Sequence, residues 1–220
     1  MTDAPFPDSA GPTFDDAFRR QLDELFRWRR DVRHFSREPV PAGVLDDLFE
    51  LACLAPSVGL SQPWRFVIVD DPSRRAAIRA DFEACNARAL ADRSQERAAS
   101  YARLKLAGLD QAPCQFAIFA DPEPEQGHRL GRETMPDTTT YSAVMAAYTL
   151  WLAARAVNLG LGWVSILNPA VIAATLDIPE HWTFIGYFCL GSLLAEDDTP
   201  ELERAGWERR QNAGSRILHR

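Results

Sequence analysis

Residues 182–190 constrain the fold more than any other stretch. They read Trp-Thr-Phe-Ile-Gly-Tyr-Phe-Cys-Leu, almost wholly apolar and rich in aromatic side chains. A strand of this kind needs cover on both faces, so it belongs in the middle of a sheet with helices packed on each side. Three more short apolar runs stand at 66–69, 114–120 and 162–167. Between the runs the period changes. Phe14, Phe18, Leu22, Leu25 and Phe26 recur at helical spacing behind Thr13 as N-cap and Asp16 as a first-turn acid. Val44, Leu45, Leu48, Leu51 and Ala52 mark one face of a second helix over 42–55. Residues 73–109 read as helix broken near Arg93 and Ser94, with a thin apolar pattern. Residues 139–159 read as a long central helix, apolar all round and therefore buried, and 169–176 as a short one.

Composition removes several classes of function. A net charge of −7 argues against a general nucleic-acid or anionic-membrane binder, with the arginines at 27–33 as a local exception. The longest apolar run, 143–154, is shorter than the ~20 residues that span a bilayer. The first residues are acidic and proline-rich, unlike a signal peptide. Cysteines at 53, 85, 114 and 189 form no C-x-x-C pair and read as reduced thiols, so the expected compartment is the cytoplasm. Histidines 34, 128, 181 and 220 have no metal-ligand spacing, and no metal is expected. There is no P-loop and no G-x-S-x-G elbow. Gly160-Leu161-Gly162 lacks the third glycine of a dinucleotide fingerprint.

What remains is an arginine cluster, a shaped loop and a serine in a glycine-flanked strand. Arg29-Arg30-Asp31-Val32-Arg33-His34-Phe35 follows the first helix without continuing its face. Arginines at a helix end can hold a phosphate by charge-assisted, often bidentate contacts. Asp31 is the odd member, since a phosphate clamp gains nothing from a carboxylate. The plain alternative is a solvated basic turn with Asp31 as counter-charge. Ala55-Pro56-Ser57-Val58-Gly59-Leu60-Ser61-Gln62-Pro63-Trp64 is a loop able to offer small side chains and backbone donors to a flat ligand. Read plainly, Ser57 caps a turn, Trp64 is core, and Ser165 satisfies a neighbouring backbone group.

The arginine segment, the 55–64 loop and the Gly160-Leu161-Gly162-Trp163 strand resemble, in that order, the flavin-binding pattern of the nitroreductase superfamily. The resemblance covers roughly residues 13–210. Within it the chain is most similar to the 5,6-dimethylbenzimidazole synthase subfamily. Asp31 stands where ordinary nitroreductases usually have serine, and residues 107–113, 131–136 and 162–167 look like subfamily segments. The resemblance implies an α+β fold: a mostly antiparallel sheet of four or five strands flanked by helices, dimeric, with the central helix in the interface. A single domain would span 13–220 behind a flexible arm, 1–12. It implies reduced FMN as substrate with O2 as co-substrate, supplied by a separate flavin reductase and broken down to the benzimidazole. The FMN contacts would be Arg29, Arg30, Asp31, Val32, Arg33, Trp64, Lys105, Leu106 and Ser165, with Arg209 closing the phosphate, or else Arg210. Pro56, Ser57, Val58 and Leu60 would come from the neighbouring subunit. Asp31 would be the general base or acid, and Ser165 would hold a flavin or peroxide oxygen. Segments 86–112 and 121–138 would form a lid. The runner-up is an FMN-dependent NAD(P)H nitroreductase or flavin reductase.

Overall fold

The structure, a computed structural model, describes residues 11–90 and 107–220. The expected arm lies outside these residues up to position 10, as does the helix break near Arg93. The elements are α1 (Asp16–Trp28), α2 (Val44–Ala52), β1 (Trp64–Ile68), α3 (Pro72–Leu90), β2 (Cys114–Ala120), α4 (Thr138–Ala156), β3 (Leu159–Val164), α5 (Pro169–Thr175), β4 (Thr183–Ser192) and α6 (Glu201–Arg204). The strands form one sheet in the order β1-β2-β4-β3, and every neighbouring pair is antiparallel.

The apolar run at 182–190 is an inner strand, as its hydropathy requires. Its side chains alternate between two cores. Phe188 and Leu190 join Phe116 and Ile118 of β2 against Leu48, Ala52, Leu150 and Ala154 of α2 and α4. Tyr187 and Cys189 join Ala117 and Phe119 against Ile78, Phe82 and Ile172 of α3 and α5. In the second core the Tyr187 hydroxyl donates to Gln115 Oε1 at 2.8 Å, and Gln115 Nε2 donates to the Leu109 carbonyl at 2.9 Å. That satisfies the buried polar atoms and ties the helical residues 107–111 to the sheet.

Three expectations change. First, α1 is capped by Asp15, whose carboxylate accepts the Phe18 N–H at 2.8 Å, and not by Thr13. Second, the third strand runs from Leu159 to Val164, starting earlier than the apolar run because Asn158 turns the chain directly out of α4 in the left-handed region (φ 59°). Ser165 therefore lies past the strand and is exposed in the single chain. Third, α4 is not buried all round. Its small residues Ser142, Ala143, Ala146, Ala147 and Ala154 allow close approach to the sheet, while Tyr141, Val144, Met145 and Tyr148 form an outer stripe. The apolar face of α1 is also largely uncovered, with Phe14, Phe18 and Phe26 exposed.

Candidate active site

The arginine segment leaves α1 in extended conformation at Arg29 and runs beside β3. Asp31 forms a parallel bridge with Leu161, whose carbonyl accepts the Val32 N–H at 3.0 Å. Phe35, fully buried, bridges to Leu193 and plugs the segment into the core. The close approach depends on two missing side chains. A Cβ on Gly160 would meet Val32 Cγ2 at 2.8 Å, and one on Gly162 would meet the Val32 carbonyl oxygen at 2.1 Å. The Gly160-Leu161-Gly162 motif thus serves the packing of one backbone against another. Gly162→Ala should push the segment off β3, costing ~1–3 kcal/mol or more of stability and most of the anion affinity. Thermal melting and ligand titration check this, and an unchanged melt would contradict the contact.

Asp31 is held at both oxygens. Oδ1 accepts the Trp163 N–H at 2.8 Å, and Oδ2 accepts from Arg33 Nη2 at 3.1 Å. The carboxylate is therefore not a loose counter-charge on a solvated turn. Arg33 is buried, and its Nη1 also lies 3.5 Å from Glu201 Oε2 in α6, while His34 Nε2 approaches Glu201 Oε1 at 3.7 Å. Arg33 thereby joins the segment to the C-terminal tail across 168 residues of sequence.

Around this floor lies a cleft of about 290 Å³ between the segment, the end of α4 and the tail. Its wall is rich in charge, and most carboxylates are matched. Arg155 pairs with Glu196 at 2.9 Å, and Arg204 with Asp197 at 3.2 Å. Arg29, Arg30 and Arg210 also line it. The Arg29 guanidinium sits 5.0 Å over the Trp151 ring, and Trp151 Nε1 donates to the Arg30 carbonyl at 2.9 Å. Buried Arg29 Nε, Arg30 Nε and Arg30 Nη2 have no hydrogen-bond partner among the described residues. Burial, then the neighbouring charges of Arg210 and Arg29, hold the Arg30 guanidinium below its ordinary pKa, with Asp198 and Asp197 opposing them. Desolvated guanidinium N–H groups without acceptors make a site suited to a multiply charged anion.

The structure brings together Arg29, Arg30, Asp31, Val32 and Arg33. Of the two tail arginines, Arg210 lines this cleft and Arg209 does not. The 56–60 loop is elsewhere. The Val58 N–H donates to Ser142 Oγ at 3.0 Å near the start of α4, whereas Trp151 and Arg155 stand near its end. Nine residues of helix separate Ser142 from Trp151, about 13 Å of rise. Ser57 Oγ accepts the Gln62 N–H at 3.1 Å, which is the plain turn-capping reading, and Leu60 is exposed. Trp64 is buried with its Nε1 on Cys53 Sγ at 3.2 Å, in core beside Ala120 and Ala143. Lys105 and Leu106 lie outside the described residues. Sequence reasoning missed Trp151, Arg155 and Glu201. An aromatic and an arginine four apart near a helix C-terminus offered a faint signal for the first two, and Glu201 offered none.

Among the described residues no three His, Cys, Asp or Glu side chains converge as a metal site, and no helix is long and apolar enough to cross a membrane. An antiparallel sheet between two helical layers, with an arginine-walled cleft at its edge, defines a class. The chain belongs to the nitroreductase family, whose model matches residues 26–192. More particularly, it is 55% identical over 201 residues to a 5,6-dimethylbenzimidazole synthase of Rhodospirillum rubrum, covering 91% of this chain and 95% of that one. It is 48% identical over 195 residues to a 5,6-dimethylbenzimidazole synthase of Rhodobacter capsulatus, covering 89% and 94%. A solved nitroreductase with bound FMN from Desulfitobacterium hafniense shares the fold at TM-score 0.66 and 18% identity, over 90% of this chain and 97% of that one.

Proposed function

We propose that this chain catalyses oxygen-dependent fragmentation of reduced FMN to 5,6-dimethylbenzimidazole, the lower ligand of cobalamin, with release of D-erythrose 4-phosphate. One observation carries the reading: a carboxylate, Asp31, is fixed at the floor of an arginine-walled anion cleft in a chain aligned nearly end to end with synthases. The orphaned N–H groups of Arg29 and Arg30 fit a phosphate monoester, and Arg210 adds a third cation from the tail. Reduced FMN supplies the redox chemistry toward O2 without a metal. The protein binds, orients and moves protons. Arg29, Arg30 and Arg210 hold the phosphate, and Arg33 holds Asp31 in place. Asp31 exchanges a proton with the ribityl chain. Ser165 is two residues beyond the amide that Asp31 grips, ~7 Å along extended chain. It donates a hydrogen bond at the ring end of the substrate.

The site is completed by a second copy. The 56–60 loop is too far along α4 to reach its own cleft, and the outer stripe Tyr141, Val144, Met145 and Tyr148 is the apolar face that a partner covers. Tyr148→Asp should therefore give monomers that have lost FMN affinity. Light scattering and flavin titration check both, and a monomer that binds FMN at full strength sinks the shared site. The free thiols fit a reducing cytoplasm, and burial pushes Cys114 up to about 11, keeping it protonated. Reduced FMN comes from a separate flavin reductase. Product analysis after mixing the protein with chemically reduced FMN and air tests the function. Benzimidazole supports it, and complete return of FMN replaces it with FMN-dependent nitroreductase chemistry.

A further inference from the structure

Ser165 stands in a short connection whose two ends are fixed by different means. At one end Val164 pairs with Tyr187 in the sheet, and the strand stops there. At the other end Asn168 caps α5, its side chain accepting the Ala170 N–H at 3.1 Å, ahead of Pro169 in the first turn. The Asn168 backbone N–H is itself taken by a carboxylate from outside the connection. It donates to Asp81 Oδ2 at 2.7 Å, across 87 residues of sequence. Asp81 lies on α3 between Ile78 and Phe82, both fully buried in the same core as Leu167 and Ile172. It is a half-buried acid on a helix whose neighbouring side chains are locked by packing, so its carboxylate has a fixed address. Leu167 is buried and Ile166 half-buried, which leaves Ser165 as the exposed member of the connection.

We propose that Asp81 is a positioning residue for Ser165: by gripping the Asn168 N–H it fixes the far end of the 165–168 connection and so the place where the serine hydroxyl meets the substrate. The inference rests on the reading of Ser165 given above. Asp81 itself is placed on the connection and not on the reacting atoms. An apolar residue in place of Asp81 would leave the Asn168 N–H to water, and the connection behind Ser165 would then be held only by the packing of Leu167 and the α5 cap. Displacements near 1 Å at a positioned group cost up to about a hundredfold in rate.

The test is a double-mutant cycle on the full chain. Asp81→Ala, Ser165→Ala and the double variant are each loaded with reduced FMN and exposed to air, and benzimidazole is measured per FMN oxidised. Asp81→Ala should lower that yield roughly tenfold or more with FMN affinity little changed. The double variant should be no worse than Ser165→Ala alone, because both act at one point. Asp81→Asn, which keeps an acceptor oxygen, should restore most of the yield. Asp81→Ser, polar but too short to reach Asn168, replaces the alanine variant if that chain does not fold. Normal yield from Asp81→Ala or Asp81→Ser, or losses that multiply in the double variant, would overturn the inference. If Ser165→Ala itself gives normal yield, the reading of Ser165 falls. An Asp81 loss rescued by asparagine in that case shows that Asp81 acts on some other group, which also overturns the inference.

Discussion

Asp31→Asn should bind reduced FMN, react with air and return oxidised FMN in place of benzimidazole. Asparagine fills the same volume, and its amide oxygen can still accept the Trp163 N–H that Asp31 Oδ1 takes at 2.8 Å. What it loses is the charge toward Arg33 and the capacity to take up a proton. An amide N–H2 turned toward Arg33 would face another donor, so the variant keeps one of the two anchoring bonds. Positioned acid–base groups contribute ~10²–10⁴-fold in rate, and product formation should fall within that range. Flavin binding should change far less, because the residues proposed to hold the phosphate are Arg29, Arg30 and Arg210. The measurement is chromatography of benzimidazole and surviving FMN after one exposure to air. Product at the normal rate from Asp31→Asn would leave the carboxylate as a structural clip between β3 and Arg33 and nothing more.

Arg30→Ala should weaken FMN binding about tenfold to a hundredfold, and riboflavin should bind the unaltered protein poorly. The reason is the state of this side chain without an anion. Two of its N–H nitrogens are buried with no acceptor among the described residues, and the charges of Arg210 and Arg29 press on it. A phosphate relieves both conditions at once. A hydrogen bond to a charged group contributes ~1.5–3 kcal/mol. Arg33→Ala should behave differently. Arg33 is engaged by Asp31 and Glu201, so its loss should lower product yield and loosen the tail more than it weakens phosphate binding. Fluorescence titration with FMN and riboflavin on both variants separates the two. Equal affinity for FMN and riboflavin would show that the cleft does not hold the phosphate.

Local chemistry and period made much of the fold legible before any coordinates. The run at 182–190 had to be an inner strand because almost nothing in it can face water, and it lies between β2 and β3. The helical periods read over 14–28, 42–55 and 139–159 placed three helices to within a few residues of 16–28, 44–52 and 138–156. The arginine cluster stood out as three like charges in five residues, which a solvated turn or an anion site could each explain. The glycines of 160–162 were visible, but their use was not. Only the approach of Val32 to within 2.1 Å of a would-be Cβ shows why side chains are forbidden there.

The sequence by itself determined which segments are strands, which are helices, and where a cluster of arginines able to hold an anion would stand. Those properties follow from side chains and their near neighbours. Tertiary structure alone decided which arginines are available. Arg33 and Arg30 look alike in sequence. Contacts from 168 residues away turn Arg33 into a clip, while Arg30 Nε and Nη2 are buried with no acceptor among the described residues. It also decided that Arg210 and not its neighbour faces the cleft, that Asp31 is clamped by a strand amide, and that the 56–60 loop sits far from the cleft along α4. The physical reason is the same in each case. The energy of a charged or polar group is set by what surrounds it within a few ångströms, and that surrounding is assembled from residues far apart in the chain.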